Sequence, residues 1–227
     1  MLKEYYFRNP SVLDFYKLSR YNYVQNQKYY FGFFVEKFST ILIDLDQDLT
    51  LIRKQFRSNY RNEIKRAKAS NAQIDYEVAL DEHFEFYNRN NSRKNHAQLG
   101  TLDNECAYVA LNCRSKGVTY ASHLYLVTKS QAVLMSSCTL NTMDKESFKF
   151  AGYCNKFLHD GAIEYFRELG KGHYNLGGVA TNTMDKKLIG ITNFKKGFGG
   201  NVAVYYEYES VAIKLYRQMV KIIGKVR

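Results

Sequence analysis

The chain has 227 residues, 45% hydrophobic and 15% aromatic, which is enough to bury a core and too apolar for wholesale disorder. Its 33 basic residues against 22 acidic ones leave a formal charge of +11. That excess favours anionic partners (nucleic acid, phosphorylated small molecules or an acidic membrane surface) without choosing among them.

No run approaches the roughly 20 apolar residues of a membrane-spanning helix, and residues 1–8 lack the apolar stretch of a signal peptide. Cys106, Cys113, Cys138 and Cys154 form no CxxC pair and no zinc-finger spacing with a histidine, so reduced thiols, no metal set and a cytoplasmic setting are expected. One proline, Pro10, and no Gly/Ser-rich run interrupt the sequence. A single domain over residues 1–227 is therefore expected, with strands in residues 1–47.

Residues 28–45 are rich in Tyr, Phe, Val and Ile and predict two strands turning around residues 36–40. Residues 48–70 predict one helix, because Ile52, Phe56, Tyr60 and Ile64 recur every fourth position. Beside that ridge run Arg53, Arg57, Arg61 and Lys65, a cationic flank that could track phosphates, with a solvated helix face as the alternative. Asp48 supplies an N-cap. Residues 74–80 predict a strand, and 81–95 and 102–116 predict helices, the second bounded by Gly100 and Gly117. Strands follow at 119–127, 131–141 and 147–153, then a helix from about Lys156 to Leu169 closed by Gly170. A short strand at 173–176, a loop-rich segment holding Gly190, Gly197, Gly199 and Gly200, a strand at 202–208 and a helix at 209–223 complete the chain. Such an order implies an α/β or α+β domain, a mixed sheet flanked by helices.

Three stretches carry a resemblance. The basic helix LIRKQFRSNYRNEIKRAKA (51–69), the passage AGYCNKFLHDGAIEYFRELGKGHYNLGGV (151–179) and the segment GITNFKKGFGG (190–200) are similar, in order and spacing, to elements of the FemABX family. That family comprises the aminoacyl transferases of peptidoglycan cross-bridges and their acyltransferase relatives. Its Phe-Lys-x-x-Phe-Gly signature matches Phe194 and Lys195. The resemblance spans residues 48–200, one domain's worth, with residues 201–227 as a closing strand and helix. It implies a GNAT-like fold with a central mixed, mostly antiparallel sheet, splayed so that an acyl donor enters between middle strands. Asn175 stands where the family often has Asp.

What the resemblance implies chemically is attack of an amine on an activated acyl carbon, on a cell-envelope precursor such as a peptidoglycan peptide or an amino sugar. The donor would be aminoacyl-tRNA or acyl-CoA, with no tightly bound cofactor. Lys195, with Phe194 beside it, would stabilise charge on the donor or the tetrahedral intermediate. Gly177, Gly178, Gly197, Gly199 and Gly200 would let backbone N–H groups approach phosphate or a carbonyl, tight turns being the alternative. Arg53, Arg57, Arg61 and Lys65 would hold an anionic substrate, and the positive charge leaves peripheral membrane association open. His123 and His159, with Asp160 and Glu164 nearby, are candidate bases, a structural role being the alternative. Two other function classes fit the same residues: a basic nucleic-acid-binding module without catalysis, or a degenerate GNAT domain serving in assembly.

Overall fold

Residues 3–91 and 106–225 are described by the computed structural model. In chain order the first elements are β1 (Lys3–Tyr6), β2 (Ser19–Val24), β3 (Phe33–Asp44), α1 (Leu49–Gln55), α2 (Ser58–Ala69), β4 (Gln73–Val78) and α3 (Leu80–Asn90). There follow β5 (Ala107–Ser115), β6 (Val118–Val127), β7 (Gln131–Thr139), α4 (Lys145–Glu168), β8 (His173–Val179), α5 (Lys186–Lys196), β9 (Asn201–Ser210) and α6 (Val211–Lys225). The chain divides into two units. Within the described residues it passes from one to the other at Thr40/Ile41, in β3, and at Val202/Ala203, in β9.

In the smaller unit β1 pairs with β2 in parallel and β2 with β9 antiparallel. Tyr21 faces Tyr208 across that ladder, and the two are buried with Val24 among the partly buried rings of Tyr5, Tyr30, Phe33 and Tyr206. This cluster buries rings while leaving hydroxyls to bond, as Tyr208 does with the backbone at Lys28 (2.8 Å). Arg20 gathers Glu4, Glu207 and Glu209 at 2.6–3.2 Å.

The larger unit is built on the antiparallel meander β4–β5–β6–β7, to which β8 adds in parallel beside β7, with β3 next to β8. A parallel neighbour needs a long return path. The 24 residues of α4 supply it, capped by the Asp144 carboxylate on the Ser147 N–H (2.8 Å) and ended at Gly170 with φ +69°. Ile52, Phe56, Tyr60 and Ile64 are all buried in the core of this unit, with Leu158, Ala162 and Phe166 of α4.

Five local expectations are corrected. Residues 33–44 form one strand instead of a hairpin. The basic helix is two helices, because Phe56 and Arg57 are extended (ψ 140° and 144°). There the Arg57 N–H bonds the Gly197 carbonyl (2.8 Å), and the Arg61 guanidinium covers the freed carbonyls of Lys54 and Phe56. A tertiary bond thus replaces a helical one.

Residues 107–115 form a strand where a helix is expected. With a strand on each side, β5 is buried without alternation, and its small apolar residues give no period to read. Residues 102–105, Gly100 and residues 92–95 of those expectations lie outside the described residues. Residues 147–153, alternating like a strand, are the first turns of α4, because the Asp144 cap starts a helix that runs unbroken into the next one expected. Residues 186–196, expected as loop, form α5, started by the Asp185 carboxylate on the N–H groups of Lys187 and Leu188.

Candidate active site

The parallel pairing of β7 with β8 covers Gln131–Val133 against His173–Asn175, although β7 runs on to Thr139 and β8 to Val179. Asn175 sits at the end of that pairing, fully buried. Its Oδ1 accepts from the Gly177 N–H (2.8 Å) and its Nδ2 donates to Gln131 (3.4 Å). The side-chain amide therefore turns the strand where the ladder stops, a task its neutral donor and acceptor suit. Gly177 follows at φ +74°, and a Cβ there would lie 2.8 Å from the Leu134 carbonyl. Both the backbone conformation and the close approach of β7 require glycine.

Beyond this point a cavity of about 560 Å³ opens, walled by β7 (Leu134 to Ser137 and Thr139), α4 (Asn155, His159) and α5 (Lys187, Gly190, Ile191, Phe194, Lys195). Its size suits a small-molecule site. Lys195, half-buried in the last turn of α5, donates to the Gly178 carbonyl (2.7 Å). Burial lowers its pKa from the usual 10.5 to about 8. Among the described residues no carboxylate lies within ion-pair distance of it, so the charge faces the cavity without a counter-ion. An ammonium has three donors, and one is spent on Gly178.

The position of Lys195 is set by aromatic packing. Phe194 contacts the rings of Tyr60 (5.8 Å), His159 (5.7 Å) and Phe198 (5.4 Å), and the Tyr60 hydroxyl donates to the Phe194 carbonyl (3.1 Å). Gly197 lets the Tyr60 ring come close, since a Cβ there would be 2.3 Å from it. Gly199 and Gly200 form the turn from α5 into β9. Of the five glycines singled out in the sequence, Gly177 and Gly178 lie against Lys195 and do not line the cavity, while Gly197 packs on Tyr60.

His123 and His159 are fully buried, their rings 4.4 Å apart. They end a chain of hydrogen bonds whose polarity can be deduced. Asn155 presents Oδ1 to His123 Nε2 (2.6 Å), and an amide oxygen only accepts, so Nε2 carries the hydrogen. His123 Nδ1 then accepts from the Tyr125 hydroxyl (2.7 Å), Tyr125 accepts from Tyr174 (3.1 Å), and Tyr174 accepts from His159 Nδ1–H (2.7 Å). His159 Nε2 is left as a buried lone pair without a partner among the described residues. Burial keeps both imidazoles neutral, that of His123 down to about 3 and that of His159 well below its usual value. Neither competes with Lys195 for an anion. Burial likewise pushes Cys138 up to about 11, and Cys154 together with burial raises Cys113, so these thiols stay protonated.

The cationic flank does not act as one row. Arg53 turns inward onto Asp160 (2.6 and 3.0 Å) and Glu164 (2.8 Å), with Lys68 also on Asp160 (3.3 Å). Arg61 caps α1 through its guanidinium. Arg57 and Lys65 are exposed. Asp160 and Glu164 are thus occupied by Arg53 and do not stand behind His159 as bases. Lys156, over the rings of Tyr60 (5.1 Å) and Phe194 (5.8 Å), is tied to Glu63 (2.6 Å).

Sequence reasoning missed Ser136, Ser137, Asn155 and Lys187 in the cavity wall. Had Asp185 been read as a helix cap, Lys187, Ile191, Phe194 and Lys195 would have fallen on one helical face.

No family model matches the chain, and no curated protein matches it. Solved structures do. The C-terminal DUF2156 domain of a putative lysylphosphatidylglycerol synthetase from Agrobacterium fabrum is similar with a TM-score of 0.56 at 16% identity, over 89% of this chain and 72% of that one. L-PGS from Bacillus licheniformis gives 0.56 at 14% identity, over 92% and 74%. FemX gives 0.56 at 10% identity, over 79% of this chain and 63% of that chain. At these identities the likeness shows the fold alone: an α/β arrangement, a mixed and mostly antiparallel sheet flanked by helices.

Proposed function

We propose that this chain is a FemABX-like N-acyltransferase, moving an activated acyl or aminoacyl group to an amine on an anionic cell-envelope precursor such as a peptidoglycan peptide or an amino sugar. The observation that carries the reading is Lys195: a half-buried ammonium without a counter-ion among the described residues, fixed on the Gly178 carbonyl beyond the point where β7 and β8 cease to pair. One structural neighbour is named as a putative lysylphosphatidylglycerol synthetase, another as L-PGS and a third as FemX, which supports aminoacyl or acyl transfer as the reaction class.

In this reading the acyl donor is aminoacyl-tRNA or acyl-CoA, consumed in each turnover and not held as a cofactor. Its carbonyl lies against Lys195. The neutral amine attacks the carbonyl carbon, negative charge collects on the oxygen, and the two donors left on the ammonium stabilise it. Such a contact strengthens as charge develops and is therefore worth more in the transition state than in the ground state. Collapse forms the amide and expels the ester alkoxide or thiolate, which takes a proton through Lys195 while the attacking nitrogen returns one to it, so that the lysine ends the turnover protonated. With its pKa near 8, Lys195 is also acidic enough at neutral pH to hand a proton to that leaving group. The neutral imidazole of His159 and the amide of Asn155 add no charge to the wall, in which Lys187 is a second cation.

The test is a thermal-shift panel of acyl-CoAs, bulk tRNA and nucleotide-linked sugars, followed by a turnover assay with each binder. A ligand at about a hundred times its Kd adds roughly 2.7 kcal/mol, or about 5–10 °C for a chain of this size. Acyl transfer to an amine, lost in Lys195→Met, is the expected result. A salt-sensitive shift with tRNA and no turnover of any acyl donor would make the chain a nucleic-acid-binding module instead.

A further inference from the structure

The last helix of the smaller unit is unlike the others. The sequence of α6, VAIKLYRQMVKIIGK, contains three lysines and one arginine and no acid. At 100° per residue, its apolar residues from Val211 to Val220 fall within one arc of about 200°, and Lys214, Arg217 and Gln218 fall in the remainder. One apolar side chain, Ile213, is buried in the fold at 4% exposure. Leu215, Tyr216, Met219 and Val220 are 50–55% exposed, a contiguous apolar face larger than a helix packed only on its own unit would leave in water.

The apolar surface does not stop at the helix. The Val211 N–H bonds the Gly32 carbonyl (2.9 Å), and beside Gly32 the exposed ring of Phe31 lies against Phe15 (5.7 Å), which meets the exposed Tyr16 (5.6 Å). The exposed ring of Phe34 carries the Lys214 ammonium 4.2 Å above its centroid. The rings of Phe31, Phe15 and Tyr16 thus lie beside the start of α6, and that of Phe34 on the side of Lys214.

We propose that α6 is an interfacial helix that seats the smaller unit on an anionic phospholipid surface. A strongly amphipathic helix with a cationic polar face and aromatic neighbours is the form that lies in the plane of a bilayer interface, its apolar face among acyl chains and its cations among head groups. Charge decides between this occupant and a second copy of the chain. Arg217 is paired with Glu209 (2.7 Å), which leaves Lys214 as the cation without a carboxylate among the described side chains of α6; a second such face offers it nothing, whereas an anionic surface neutralises it, in keeping with the formal charge of +11. Among the described residues no helix is long and apolar enough to cross a membrane, so the contact is with the surface. The proposal does not depend on acyl transfer and stands or falls without it.

The experiment uses the intact chain and vesicles of phosphatidylcholine with or without phosphatidylglycerol. Co-sedimentation with the anionic vesicles is expected to exceed that with the neutral ones at least tenfold and to weaken with salt. Leu215→Glu combined with Met219→Glu, both at exposed positions, is expected to abolish it. Because the chain contains no tryptophan, Met219→Trp supplies a single reporter whose emission is expected to shift to the blue with anionic vesicles alone. Should the glutamate variant fail to fold, Lys214→Gln with Arg217→Gln, expected to weaken binding several-fold, serves in its place. Equal sedimentation with both vesicles, an unshifted reporter, or a concentration-dependent dimer that the same substitutions abolish would each overturn the proposal.

Discussion

Replacing Lys195 with Met is expected to move stability and activity in opposite directions. The fall in pKa from 10.5 to about 8 means that folding disfavours the charged form by roughly 3 kcal/mol, at about 1.4 kcal/mol per tenfold. The sign follows from proton binding. Between pH 8 and 10.5 the unfolded chain holds the proton and the folded chain has released it, so the penalty is full below pH 8 and is relieved as pH rises through that window. Methionine fills a similar volume without charge, and its substitution sacrifices the hydrogen bond to Gly178, worth about 1 kcal/mol. The net expectation at pH 7 is a gain of about 2 kcal/mol, read as an increase of roughly 4–8 °C in Tm by calorimetry. At pH 10.5 the gain should vanish. The same change removes a donor aimed at a developing oxyanion and is expected to lower kcat about 10²–10³-fold, with KM for the donor changed far less. A variant that is destabilised at pH 7, or that gains stability equally at both pH values, would refute the account of a desolvated ammonium with no carboxylate beside it among the described residues. Unchanged kcat would refute its part in catalysis.

Arg53→Met leaves Asp160, 3% exposed at its side chain, with only the outer Lys68. A loss of about 2–4 kcal/mol is expected by calorimetry, most of it recovered when Asp160→Asn is added. Gly197→Ala brings a methyl group within 2.3 Å of the Tyr60 ring, and a loss of about 1–3 kcal/mol in urea unfolding is expected; a smaller residue at Tyr60 should offset part of it. The buried imidazoles give a pH dependence. The folded-state values of His123 and His159 lie below the usual 6.5, so the unfolded chain binds the extra protons and stability drops as pH falls below about 6.5. Each is expected to cost about 2 kcal/mol between pH 7 and 5, and His123→Gln should remove about half of that slope; a flat profile of the parent chain would contradict the buried chain of rings.

Much of the architecture was legible because its signals are local. The apolar spacing of Ile52, Phe56, Tyr60 and Ile64 names four core residues, and Gly170 marks the end of α4 correctly. The Phe194–Lys195 pair was picked out by resemblance, and the structure places it in a cavity wall. What local signals could not give was anything decided by a distant partner. The extended link at Phe56 and Arg57 exists because the Gly197 carbonyl, 140 residues further on in the chain, takes an N–H that a continuous helix would have used within itself. β5 carries small apolar residues that favour no period, and its two neighbouring strands settle its state. The row Arg53, Arg57, Arg61, Lys65 looked uniform, yet Asp160 and Glu164 on α4 claim the first of these and helix-end carbonyls the third. Charge counted along a sequence does not say which cations are spent inside the fold.

One consequence follows from the contacts that hold α5. Lys195 and Lys196 are chemically identical neighbours, yet the first is half-buried on Gly178 and the second is exposed. Their different fates come from the angular setting of the helix, since one residue corresponds to a turn of about 100° about its axis. Phe194, gripped by Tyr60, His159 and Phe198, acts as a key in a slot that permits one setting. Deleting a single residue between Lys186 and Phe194 would leave Phe194 free to keep its slot only if the N-terminal cap at Asp185 were lost, so the helix start and the lysine's address are locked to each other. Insertions in this segment should therefore be tolerated before Asp185 and not after it.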